Sequence, residues 1–208
     1  MKHVLCFGDS NTFGHDPATG QRLDRDTRWP GALRNALGEG YEVIEEGLGG
    51  RTTVWDDPTD DYKNGRTYLI PCLASHAPLD LVVIMLGTND LKARFGLSAF
   101  DIAEGARLLV GIAQTSGAGP NGRAPGVLLL APPPIATLSS YAEMFDGASE
   151  KSLEFASHYA RVAREAGCAF LDAGSVIVSS PLDGIHFEAS QHLKLGRAVA
   201  EKAKELLR

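Results

Sequence analysis

Four short segments carry the residue types that nucleophilic acyl chemistry needs. Gly8-Asp9-Ser10-Asn11 sets a hydroxyl behind a glycine that permits a sharp turn. Glu46-Gly47-Leu48-Gly49-Gly50-Arg51-Thr52-Thr53 contains paired glycines, whose backbone N–H groups can approach an anion closely. Gly87-Thr88-Asn89-Asp90 presents a side-chain amide as a neutral donor. Asp183-Gly184-Ile185-His186 places a carboxylate three residues before a histidine, so the chain can fold back and let the carboxylate accept from the ring Nδ1–H. The other ring nitrogen is then free to act as a base. Each segment also has an ordinary structural reading. Ser10 fits a helix N-cap, Gly49-Gly50 a turn, Asn89 an Asx-turn, and Asp183 with His186 a surface pair. Together they supply a hydroxyl, a base, an orienting carboxylate and two kinds of oxyanion donor, and that combination points to catalysis.

The elements that must position these segments are legible as alternating patterns. Short apolar runs at Val4 to Phe7, Tyr41 to Ile44, Leu79 to Leu86, Gly126 to Leu130 and Ala169 to Leu171 read as buried strands. Leu81-Val82-Val83-Ile84-Met85-Leu86 has no polar alternation, as expected of a strand covered on both faces. Amphipathic stretches at about Trp29 to Leu37, Thr67 to Ser75, Ser98 to Thr115, Glu150 to Ala166 and Glu188 to Leu207 read as helices. Alternation of this kind over residues 1–208 predicts one α/β domain with a parallel sheet covered by helices on both sides. In such sheets ligands bind beyond the carboxyl ends of the strands. Three of the four segments follow a strand, and the fourth lies in the last loop. Asp16 to Arg28, Val54 to Gly65 and the stretch after Pro132-Pro133-Pro134 read as loops.

Other features narrow the field. Twenty basic against 26 acidic residues give a net charge of −6, which argues against nucleic acid as the main partner. No apolar run is long enough to cross a membrane, and Met1 to Ser10 turns polar too soon for a secretory leader. Cys6, Cys72 and Cys168 are odd in number and far apart, which fits neither a disulfide framework nor a zinc cluster and points to a reducing, cytoplasmic compartment. Gly117-Ala118-Gly119-Pro120-Asn121-Gly122 matches a dinucleotide pattern in letters only, since it follows a helix and contains a proline. Asp56, Asp57, Asp60 and Asp61 lack calcium-loop spacing and read as a solvated or interface loop. Trp55 follows the glycine loop and reads equally as pocket lining or as simple packing.

Phe7-Gly8-Asp9-Ser10, Gly50, Gly87-Thr88-Asn89-Asp90 and Asp183-Gly184-Ile185-His186 resemble, in order, the four blocks of the SGNH (GDSL-type) hydrolase superfamily. The resemblance implies a flavodoxin-like three-layer α/β/α sandwich with a five-stranded parallel sheet. It also implies Ser10 as nucleophile, His186 as base and Asp183 as its orienter, with an oxyanion hole made by the Ser10 and Gly50 N–H groups and the Asn89 side chain. No metal or cofactor is implied. Val43 to Leu48, Arg51-Thr52-Thr53, Asp57-Pro58-Thr59-Asp60 and Phe170 to Ile177 are similar to the bacterial arylesterase and acyltransferase subgroup. Those relatives act on small-molecule acyl esters, acetates above all. Some also transfer acyl groups to alcohols or peroxide, and several form octamers, so a homo-oligomer is expected. Contacts between subunits are then expected in Asp16 to Arg28 and Ala136 to Asp146. Asn11 and His15 stand where an acyltransferase of the subgroup has leucine and tryptophan, and Gly49-Gly50 replaces a serine-alanine pair, which implies a roomier and more polar pocket. A carbohydrate acetyl esterase or a thioesterase fits the same resemblance. A flavodoxin-like binding module without catalysis is the reading from another class, and it leaves Asp183 and His186 unexplained.

Overall fold

The computed structural model describes residues 1–208. In chain order the elements are β1 (Lys2–Gly8), α1 (Ser10–Phe13), α2 (Trp29–Leu37), β2 (Tyr41–Gly47), α3 (Gly65–His76), β3 (Leu81–Met85), α4 (Ala99–Thr115), β4 (Gly126–Ala131), α5 (Ala148–Ser152), α6 (Phe155–Ala166), β5 (Ala169–Asp172) and α7 (Ala189–Leu206). The five strands form one parallel sheet in the order β2-β1-β3-β4-β5. This is the flavodoxin-like order, in which the chain moves out one way from β1 and then returns to build the other side from β3. The crossovers on either side of that reversal part above the carboxyl ends of β1 and β3, leaving a crevice there.

The inner strands β3 and β4, and β1 from Val4 to Phe7, are apolar because the two faces of the sheet feed separate cores. The edge strand β2 instead carries Glu42, Glu45 and Glu46. Leu5, Phe7, Val82, Ile84 and Leu129 point to one face and pack against Leu69 and Leu73 of α3, Ile102 and Leu109 of α4, and Phe155 and Tyr159 of α6. The alternate residues Val4, Cys6, Leu81, Val83 and Leu128 point to the other face, against Trp29 and Leu33 of α2 and Leu195 and Val199 of α7. All five β3 residues are buried, as a central strand requires.

Three features differ from the sequence-based expectation. The helix expected over Glu150 to Ala166 is two helices, broken at Leu153 and Glu154. Ser152 Oγ accepts the Ile135 N–H at 2.9 Å and donates to the Ser149 carbonyl, which fixes α5 against the preceding loop. The break then lets Phe155, Tyr159, Val162 and Ala163 share one buried face while Leu153 stays exposed. The third strand is confined to Leu81–Met85: Leu79 N–H bonds the Ala118 carbonyl instead, and the Leu86 carbonyl accepts from Tyr159 Oη. A short helix, α1, begins at Ser10 itself, with Asp9 as its cap.

Candidate active site

Residues that stand 176 positions apart meet at the carboxyl edge of the sheet. Ser10 is the first residue of α1, and the Asp9 carboxylate accepts the Asn11 N–H at 2.9 Å, which fixes the turn out of β1. Gly8 makes that turn possible, because a Cβ there would lie 2.0 Å from Thr12 Oγ1. The Ser10 hydroxyl lies 2.9 Å from His186 Nε2. His186 Nδ1 lies 2.6 Å from Asp183 Oδ2, while Asp183 Oδ1 accepts the backbone N–H groups of Ile185 and His186, both at 2.9 Å. Burial would raise the Asp183 carboxyl, but the bonds from the His186 ring and the two backbone N–H groups outweigh it and hold the group down at about 2. Asp183 is therefore an anion wherever the protein is folded near neutral pH. It fixes the proton of His186 on Nδ1 and leaves Nε2 as an acceptor toward Ser10.

Gly50 and Asn89, the residues expected to supply donors from the other two segments, line the same cavity as Ser10 and His186. Gly50 has φ +79°, a backbone conformation that side chains strongly disfavour. Neither the Ser10 N–H nor the Gly50 N–H is donated to another protein group. One N–H of the Asn89 amide bonds the Arg51 carbonyl at 3.1 Å, which orients the side chain and leaves its second N–H unused. The loop carrying Gly50 is pinned to the turn that follows β3. Asp90 accepts the Thr53 N–H at 3.0 Å and also the Thr53 hydroxyl. Arg51 in turn donates to the carbonyls of Gly8 and Glu46 and stacks over Phe7.

Burial raises two carboxyls beneath this site, Asp9 to about 6 and Asp90 to about 7, against the hydrogen bonds that favour their ionised forms. A carboxyl with a higher pKa in the folded than in the unfolded chain binds more protons when folded. Its contribution to stability therefore falls as pH rises, here from about 4 for an unfolded carboxyl to about 7 for Asp90. Asp90→Asn keeps the shape without the charge, and we expect it to reduce this decline. Urea midpoints measured across that range check it; an unchanged slope would remove Asp90 as the source.

The cavity measures about 240 Å³, and its wall is mixed. The Met144, Phe145 and Ile185 side chains give it an apolar side. His15 packs its ring against His186 at a centroid distance of 4.2 Å, and Tyr141 meets the same ring edge-on at 6.2 Å. Lys92 completes the wall. Tyr141, Met144 and Phe145 belong to the segment expected to make subunit contacts. Nothing local in the sequence marks a loop as folding over a distant serine, so their place in the wall has no sequence signal.

Profile comparison decides the family: the GDSL-like Lipase/Acylhydrolase family matches residues 6–193. The chain belongs to that family. The acylhydrolase is also similar to solved structures over its whole length. Est24, a carbohydrate acetylesterase from Sinorhizobium meliloti, is 45% identical with a TM-score of 0.96, covering 99% of this chain and 100% of that one. The aryl esterase of M. smegmatis is 46% identical with a TM-score of 0.96, covering 100% of both chains. A further carbohydrate acetylesterase family member from Sinorhizobium meliloti is 39% identical with a TM-score of 0.95, covering 100% of this chain and 99% of that one. A search of curated protein sequences finds no significant match.

Other expectations for the acylhydrolase need correction. Asn11 does not line the cavity: it is buried, and its amide donates to the Ile185 carbonyl at 3.3 Å, tying α1 to the His186 loop. Trp55 also stands outside the cavity wall, 38% exposed, because the Thr52 hydroxyl and Asn64 amide bind the carbonyls around it and turn the loop outward. Asp57 is not solvated. Its side chain is fully buried and paired with Lys92 Nζ and Arg94 Nη1, each at 3.0 Å. Two triplets bring metal-ligand atoms within 4.8 Å of one another. In His15, Asp183 and His186 the donors of the last two are already committed to each other and to Ser10. In Glu46, Cys72 and His76 burial pushes the thiol up to about 12, so it keeps its proton at neutral pH.

Proposed function

We propose that this acylhydrolase cleaves small, acetyl-type esters through an acyl-enzyme on Ser10. The observation that carries the reading is the unbroken chain of short contacts from Ser10 Oγ through His186 to Asp183, 2.9 Å and 2.6 Å long. A serine hydroxyl is a weak nucleophile at neutral pH and needs a base as attack begins. As Ser10 Oγ bonds to the carbonyl carbon, its proton passes to His186 Nε2, and Asp183 stabilises the resulting imidazolium without taking the proton. The carbonyl oxygen gains negative charge among the Ser10 and Gly50 N–H groups and the free Asn89 N–H. The carbon–oxygen bond to the alcohol then breaks, and His186 returns the proton to the leaving oxygen. Water, deprotonated by the same nitrogen, repeats the sequence and releases the acid. An alcohol or peroxide in place of that water would give acyl transfer.

The small cavity favours short acyl chains, and its polar wall at His15, Asn89 and Lys92 supports water as the second nucleophile. A chain-length series of p-nitrophenyl esters tests this, with and without a competing alcohol. Acetate should be preferred, and a burst of p-nitrophenol should equal the enzyme concentration. A preference for long chains would overturn it. We further expect Asn89→Ala to lower kcat by about 10²–10³-fold and to change KM far less, because its bond strengthens as the oxyanion forms. An effect confined to KM would recast Asn89 as a ground-state binder. The three free thiols, two of them buried, support a reducing compartment and with it the cytoplasm. Residues 1–208 are read as one domain acting within a homo-oligomer, an octamer by the subgroup's pattern.

A further inference from the structure

We propose that Lys92 is a specificity residue that recruits esters bearing a carboxylate to the Ser10 cavity. The proposal rests on the esterase reading and adds to it a chemical class of substrate. Lys92 closes the turn that begins at Asn89, its N–H bonding the Asn89 carbonyl, and only 7% of the residue is exposed. A lysine buried to that degree needs a compensating partner. Asp57 is that partner, yet it is shared: the Arg94 guanidinium holds Asp57 Oδ1 while Lys92 holds Oδ2. The Thr59 N–H and hydroxyl also donate to Asp57 Oδ1. One carboxylate therefore serves two cations and is fully occupied.

The lysine is not. Of its three N–H bonds one goes to Asp57, and the other two have no protein acceptor. These unused donors belong to a side chain that lines the cavity beside Ser10, Asn89 and His186. No carboxylate lines that cavity, and burial holds its neighbour His15 toward the uncharged form. Lys92 is thus the one lysine, arginine or carboxylate residue in the wall of a small site, on a protein whose net charge is −6. An ammonium with spare donors, already desolvated and fixed by an ion pair, is prearranged for an anionic acceptor. Hydrogen bonds to charged groups of this kind typically change affinity by about 10- to 100-fold.

The test compares acetoxyacetate with acetoxyacetamide, which has nearly the same shape without the charge, each normalised to its rate of alkaline hydrolysis. We expect kcat/KM to favour the carboxylate by about tenfold or more, with the difference in KM. Lys92→Met should bring the ratio to about one, and Lys92→Arg should keep most of it. Lys92→Gln serves as a second neutral variant should methionine disturb folding, with active sites counted by the p-nitrophenol burst. Equal turnover of both esters by the unaltered enzyme, or a preference that survives Lys92→Met, would overturn the proposal. If the unaltered enzyme fails on p-nitrophenyl acetate as well, it is the Ser10 assignment that falls. Turnover of p-nitrophenyl acetate without the anionic preference removes Lys92 alone.

Discussion

Ser10→Ala is expected to lower kcat for small esters by about 10⁶-fold, the scale of loss seen when a serine nucleophile is removed from a triad. The fold should persist. The only side-chain bond that Ser10 makes is to His186, and the start of α1 is capped by Asp9 rather than by the serine. Alanine at the first helical position keeps the backbone N–H that the proposed mechanism gives to the oxyanion hole. Measured kcat on a short p-nitrophenyl ester, together with an unchanged thermal transition, checks both halves of this prediction. Turnover within a hundredfold of the unaltered enzyme would remove Ser10 from the chemistry.

The second large effect is expected at Asp183. Asp183→Asn should reduce kcat by about 10⁴-fold, the size expected when the base is locked in the wrong tautomer. Asp183 uses one oxygen for the Ile185 and His186 N–H groups and the other for His186 Nδ1. An asparagine keeps its carbonyl oxygen on the two backbone donors, so its NH₂ turns toward Nδ1. That nitrogen must then accept, the ring proton moves to Nε2, and His186 can no longer take the proton of Ser10. Stability should change with pH as well. A carboxyl held at about 2 when folded contributes stability that is present above about pH 4 and is lost as pH falls through 2. The asparagine variant should lack that part of the acid transition. A kcat within tenfold of the unaltered enzyme would show that the tautomer is fixed by some other group.

The limits of the sequence follow from how far each feature reaches along the chain. The strands were legible because burial on both faces leaves an unbroken apolar run, as in Leu81 to Met85. The segments around Ser10, Gly50, Asn89 and Asp183 were legible because each is a local motif, and their order carried the rest. The break between Ser152 and Phe155 was not, since it depends on the Ser152 hydroxyl capturing the N–H of Ile135 in another loop. Asp57 is the same case on a larger scale. Its partners Lys92 and Arg94 lie 35 and 37 residues away, so a run of aspartates looked solvated when one of them was buried. Asn11 follows a serine at the site's edge, yet the helical turn rotates it inward to Ile185. Spacing alone gives no sign of that rotation.

The central claim is that one hydroxyl, activated by His186, takes up the acyl group. Stoichiometric reaction with a p-nitrophenyl phosphonate, followed by intact mass and peptide mapping, tests it most directly. A single adduct per chain on the peptide that contains Ser10, formed in step with loss of esterase activity, is the predicted result. An adduct on any other residue, or full esterase activity in protein whose Ser10 is completely labelled, would contradict it.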